Sequence, residues 1–240
     1  MAINANILTP RLADRRLFLA AAIGFPLLVL IGYSRTYYLG SFFDAKPLAN
    51  NLVHFHAAVM TSWVIYFSAQ VLLVRTKNLK LHMTLGWVGV ALAALVVIVG
   101  MTAAYDAHLV RKTAPLGINP YGFFTVPFFD MLAFVILFAG AIYWRKRPAQ
   151  HKSLMFLTAI NFLPAALARI PVVDPKFILL WADGGADLLA LTAFAWYTWK
   201  HRKFNWVFAG GIVFIIASQA VRLPLSTSPM WIDLVAKIAP

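Results

Sequence analysis

Residues 83–105 read MTLGWVGVALAALVVIVGMTAAY, an apolar run without a charged side chain. As a helix it extends about 35 Å, at ~1.5 Å per residue. The hydrocarbon core of a bilayer is ~30 Å thick, so the run is long enough to cross one. The connector Arg75-Thr76-Lys77-Asn78-Leu79-Lys80-Leu81-His82 leads into it, and a second apolar run, Asn51–Val74, precedes the connector. Two spans joined by so short a basic segment read as an antiparallel transmembrane pair. Working outward, further runs lie upstream at Leu17–Tyr33 and downstream at Gly122–Trp144, Leu154–Pro171, Phe177–Trp199 and Trp206–Leu223. Each fits the ~17–25 residues of a spanning helix. The fifth, Leu154–Pro171, is at the short end, and Pro164 predicts a kink in it. The expected fold is all-α: a single bundle of seven transmembrane helices, with residues 1–240 forming one domain.

Composition agrees with that reading. Apolar residues make up 62% of the chain and charged residues 12%, against ~45–50% and ~25% in soluble domains. A mean hydropathy of +0.77 excludes disorder and an ordinary water-soluble enzyme. The net charge of +13 would suggest nucleic acid in a soluble protein. Here the Lys and Arg residues are concentrated between apolar runs, the pattern of positive-inside topology and anionic lipid contact, so no nucleic-acid partner is expected. The absence of Cys removes disulfides, thiolate metal sites and iron–sulfur clusters. All eight acidic residues are Asp, so glutamate-dependent metal motifs are absent as well. No apolar run contains a Lys for a retinal Schiff base. No phosphate loop, dinucleotide fingerprint or nucleophile elbow occurs.

Orientation follows from the basic residues. With the N-terminus inside, the inner side holds Arg11, Arg15, Arg16, Arg75, Lys77, Lys80, Arg145, Lys146, Arg147, Lys152, Lys200, Arg202 and Lys203, thirteen of the 21. The eight on the outer side are spread over longer segments. This predicts N-inside and C-outside. Arg15-Arg16-Leu17-Phe18-Leu19 has the look of a twin-arginine signal. No small-x-small cleavage site follows the run, which therefore reads as a retained first helix. The tail after Pro224 is too short to span again, and Trp231–Ile238 reads as an interfacial helix anchored by Trp231.

Ionisable groups inside apolar runs are costly and mark candidate sites. Counted from the nearest inner basic residue, Asp130, Asp183, Asp187, Arg169, Arg222, His56 and His54 all lie about 20–31 Å deep. That is the outer third of the bilayer, reached from five different runs. Asp183 and Asp187 are four residues apart and share a helix face. His54 and His56 are about 200° apart and cannot chelate one ion from a regular helix. With polar residues on both faces, the second helix is expected at the centre of the bundle. Asn161 and Arg169 fall on one stripe of the fifth run. Two assignments follow from this convergence. As a metal site, His54 or His56 would join Asp130 or the Asp183/Asp187 pair around zinc, copper or non-haem iron. As an ion-pair network, the carboxylates would face Arg169 and Arg222, with Asn161 beside them. At the inner side, His82 and His151 each follow a basic loop and are candidate ligands for haem b, with neighbouring cations for its propionates. Asp44, Asp106 and Asp174 read as solvated loop residues.

The motifs also carry a resemblance. His54-Phe55-His56, Trp63, Gln70, Asn78, His82 and Leu85-Gly86-Trp87 resemble a recurrent bacterial membrane-protein pattern. So do Phe129-Asp130, His151-Lys152-Ser153-Leu154-Met155, Ala168-Arg169 and Ser228-Pro229-Met230-Trp231. The chain is similar, over most of its length, to a polytopic inner-membrane family of the domain-of-unknown-function type. The His-basic-x-Leu-Met element is similar to membrane proteins of haem–copper oxidase maturation. The resemblance implies a seven-helix fold in the bacterial cytoplasmic membrane and supplies no activity.

Three functions remain open at this level. The leading one is an outer-leaflet His/Asp/Arg pocket serving metal- or quinone-linked redox chemistry. The second is a non-catalytic assembly or accessory subunit. The third is a proton- or cation-coupled transporter, although no clear inverted repeat supports it. The expected partners are membrane lipids, a membrane-protein partner or a second copy of the chain.

Overall fold

A computed structural model describes residues 5–240; the side chains of residues 5–14 and of Leu116 lie outside the description. Arg11, assigned above to the inner side, falls among these. The described residues form helices α1 (Ala5–Tyr33), α2 (Asn51–Arg75), α3 (Leu79–Tyr105), α4 (Pro120–Phe123), α5 (Thr125–Tyr143), α6 (Pro148–Ile160), α7 (Leu163–Leu167), α8 (Ile178–His201), α9 (Trp206–Ser226) and α10 (Pro229–Ala236), with no strand among them. Asparagines start four of these helices. The side chains of Asn50, Asn78, Asn119 and Asn205 accept from backbone amides at the first turns of α2, α3, α4 and α9, satisfying donors that have no partner within the helix.

Among the described residues six segments are long and apolar enough to cross a membrane: Arg15–Tyr38, Asn51–Arg75, Leu79–Val110, Pro120–Tyr143, Pro175–His201 and Trp206–Ser226. The chain is an all-helical, multi-pass membrane protein. The run Leu154–Pro171, expected as one spanning helix, is instead split between α6 and α7. Residues 161–162 form a turn, and Pro164 opens α7. Proline has no amide hydrogen for the carbonyl of Ile160, and its ring crowds that turn, so the helix stops and restarts.

Packing shows where such a break can be tolerated. The six long helices close into a ring in the order α1–α2–α3–α5–α9–α8 and back to α1. The broken pair α6–α7 sits inside, against α5, α9, α8 and α1. Leu157, Ile160, Leu163 and Ala166 are all fully buried. Irregular backbone at membrane depth survives only where protein covers it, and the ring provides that cover. The central element is thus α6–α7, not α2 as its polar residues suggested. Close approach at the centre depends on Gly32 of α1, where a Cβ would run into the Ala166 backbone.

The tail also departs from expectation. α10 folds back onto the bundle: Val235 is buried, and the Trp231 indole donates to the Tyr121 carbonyl at 3.1 Å. Trp231 anchors the tail to the protein instead of to the lipid interface.

Candidate functional site

Asp130, Asp187 and Arg222 lie 13, 14 and 16 residues from the ends of α5, α8 and α9 that adjoin the basic connectors. At helical rise these separations are about 20, 21 and 24 Å, a common depth. Arg222 is the hub. Its Nη2 lies 2.7 Å from Asp130 Oδ1, with side-chain exposures of 7% and 17%. This is a close ionic contact, and Oδ1 has no other partner. Asp183 and Asp187 of α8 face the same guanidinium. Gln219, one turn before Arg222, reaches Asp187. Asn161, buried at the break in the central helix, donates to the Asp130 backbone carbonyl at 2.9 Å. Arg222 thus contacts one carboxylate, Asp130, and has two more, Asp183 and Asp187, within its electrostatic reach. Arg222 Nε, Asp187 Oδ1 and Asn161 Oδ1 are buried without hydrogen-bond partners.

The other residues of the expected outer cluster go elsewhere. Arg169 does not pair with Asp183 or Asp187. It is exposed, lies 4.4 Å from the centre of the Tyr33 ring and donates to the Ala165 carbonyl. The stripe that aligned Arg169 with Asn161 assumes a continuous helix, and the break at 161–162 shifts everything after it. His54 is exposed against the Tyr37 ring at 5.9 Å, while His56 faces Arg169 and keeps an unpartnered Nδ1. Neither histidine is joined to the Arg222 cluster. Among the described residues no three His or Asp side chains form a group that could hold a metal. Asp106, expected to be solvated, accepts from Arg111 Nε at 2.8 Å and from Asn50 at 3.0 Å.

Beside the cluster, α5 and α9 leave an open apolar groove of about 220 Å³ lined by Phe129, Leu132, Ala133, Phe214, Ala217, Ser218 and Val221. Ala133 follows Asp130 by three residues and Ser218 precedes Arg222 by four, so groove and ion pair share helix faces. No protein-family model, curated protein or solved structure matches the chain. The groove and Gln219 were not anticipated from sequence. Gln219 did have one available signal, its three-residue spacing from Arg222.

At the end of the bundle that carries the basic connectors, His82 of α3 and His151 of α6 lie with ring centres 6.4 Å apart and planes at 77°. His151 Nδ1 lies 2.9 Å from the Ala141 carbonyl, and His82 Nδ1 is buried without a partner.

Proposed function

We propose that this chain is an inner-membrane protein that binds a lipid-phase, quinone-type molecule between α5 and α9. The ring would lie in the groove, a carbonyl would accept from Arg222, and the tail would run into lipid. The observations carrying this reading are an open apolar groove on the helix faces that hold the Arg222–Asp130 pair and, buried behind it, an Arg222 Nε without a hydrogen-bond partner, which a ligand carbonyl would reach by displacing the groove wall. A buried donor without an acceptor costs about 1–3 kcal/mol, which a bound carbonyl recovers. Three carboxylates around the guanidinium disfavour an anionic headgroup and favour a neutral acceptor. Metal-linked chemistry at His54, His56 and the Asp residues has no such support.

In this proposal α6–α7 makes the fifth of seven crossings. Its 20 residues, Pro148 to Leu167, are long enough at about 30 Å. The basic connectors after α2, α5 and α8 lie on the cytoplasmic side. A second reading, an accessory subunit held together by a structural network, is favoured by the Arg222–Asp130 contact tying α9 to α5.

Equilibrium binding of a short-tailed benzoquinone to the purified protein in detergent separates the two. Ala217 lines the groove and is exposed, so Ala217→Trp fills the groove without entering the core. The quinone reading expects saturable binding, weakened at least about tenfold by Ala217→Trp, or ~1.4 kcal/mol. Binding no greater than partition into empty detergent micelles, or equal in both proteins, overturns it and leaves the structural reading.

A further inference from the structure

The inner end of the bundle carries a second arrangement, separate in place and argument from the Arg222 cluster. His82 stands in the first turn of α3 and His151 in the first turn of α6, two helices separated in the chain by α4 and α5. Their rings meet edge to face at a centre-to-centre distance of 6.4 Å. A carbonyl oxygen can only accept, so the Nδ1 of His151 beside the Ala141 carbonyl carries the proton. In the neutral ring this leaves Nε2 with a bare lone pair. The same arrangement, one ring nitrogen tied to a carbonyl, orients metal-binding histidines and fixes their tautomer. On the other side, His82 Nδ1 is buried with no hydrogen-bond partner.

The separation also has a chemical meaning. A metal–imidazole bond is about 2.0–2.1 Å, and a ring nitrogen sits ~1.1 Å from its ring centre. Two imidazoles on one ion are therefore roughly 6.3 Å apart, centre to centre, when the nitrogen–metal–nitrogen angle is linear, and about 5 Å apart when it is tetrahedral. The rings, 6.4 Å apart and edge to face, lie within reach of that range, and rotation of the two side chains without movement of the helices would turn one nitrogen of each toward a shared ion. We propose that His82 and His151 bind one transition-metal ion on the inner side of the membrane.

The ligand chemistry narrows the class. Both donors are neutral nitrogens, which suits copper, zinc or nickel. Calcium and magnesium require oxygen ligands, and the intramembrane carboxylates sit near the other end of the bundle. Arg145, Lys146 and Arg147 flank the site but are exposed to solvent, where salt screens their repulsion of a cation within ~8–10 Å. With two protein ligands the ion keeps open positions for water, and it would join the inner ends of α3 and α6.

The test titrates Zn2+ and Cu2+ separately into the full-length protein in detergent, with metal content measured after dialysis. His82→Gln and His151→Gln keep a polar side chain of similar reach, and thermal melts of each variant establish that it folds. His54→Gln, at the opposite end of the bundle, controls for incidental histidine binding. The expected result is one ion per chain, with affinity lowered at least about tenfold by either inner substitution and unchanged by His54→Gln. The copper-bound protein should show an electron paramagnetic resonance spectrum with nitrogen couplings from two imidazoles. Metal retained by folded His82→Gln and His151→Gln proteins, or lost only in His54→Gln, would overturn the assignment. So would a copper spectrum with a single nitrogen ligand. None of these results depends on whether a quinone occupies the groove.

Discussion

Removing the guanidinium of Arg222 should damage the protein more than removing any one of its carboxylate partners. At the 2.7 Å separation of Arg222 and Asp130, the attraction is about 6 kcal/mol at an effective dielectric of ~20, before desolvation is subtracted. Breaking a buried pair from one side typically costs about 3–5 kcal/mol, because the remaining charge is stranded. The two sides are not equivalent here. Arg222→Gln strands Asp130 and leaves Asp183 and Asp187 without their cation. Asp130→Asn leaves Arg222 still facing both of the others. We therefore expect Arg222→Gln to lie at the upper end of that range and Asp130→Asn well below it. The double variant should recover at least about 1 kcal/mol relative to the sum of the singles, the coupling expected of residues in contact. Unfolding of the detergent-solubilised protein, followed by circular dichroism, measures all four corners of the cycle. Additivity within ~0.3–0.5 kcal/mol, or a larger loss from Asp130→Asn than from Arg222→Gln, would refute the hub assignment.

Arg169→Ala should cost only about 0.5–1 kcal/mol, the value of an exposed cation–ring contact, and its effect should add to that of Asp187→Asn in the same unfolding assay. Gly32→Val should destabilise by about 1–3 kcal/mol, since the added atoms meet the Ala166 backbone; a thermal melt equal to wild type would mean that α1 and α7 do not pack so closely. An alkaline phosphatase fused after Pro240 should be active, as the basic asymmetry places that end outside. Activity from a cytoplasmic reporter at the same position would reverse the topology.

Helix content and depth were legible in the sequence for different reasons. An apolar run near 20 residues is constrained by bilayer thickness, which is why the run at 83–105 and its neighbours announce themselves. Depth follows from residue number alone once a helix end is known, so Asp130, Asp187 and Arg222 could be placed at one level. Rotation about the helix axis is harder to read, because it requires an unbroken helix and knowledge of the neighbours. Arg169 was aligned with Asn161 by counting through Pro164, and the count failed where the helix did. His54 and His56 share the depth of the Asp cluster but belong to α2, which packs against α1 and α3. The His82–His151 proximity needed no rotation. Each follows a short basic loop, and both loops lie at the same end of the bundle.

The break in the central helix and the polar cluster explain one another. A helix interrupted at 161–162 exposes backbone groups that hydrocarbon cannot satisfy, so it survives only inside a ring of other helices. The same interruption frees Asn161 to donate to the Asp130 carbonyl, on the helix whose carboxylate holds Arg222. An unbroken apolar helix in that position would present α5 and α9 with side chains only, and a buried charged pair would have little polar company. Buried charges need hydrogen-bonding neighbours as well as each other. Asn161 at the turn bonds the Asp130 backbone and so fixes α5 beside α6, leaving the carboxylate to Arg222, while Gln219 reaches Asp187. What remains unmatched is directional: a guanidinium Nε with no acceptor, on the helix that forms one wall of an open apolar groove. A purely structural network has no need to leave its central donor buried and unused behind such a groove. A binding site for an apolar molecule with one hydrogen-bond acceptor does.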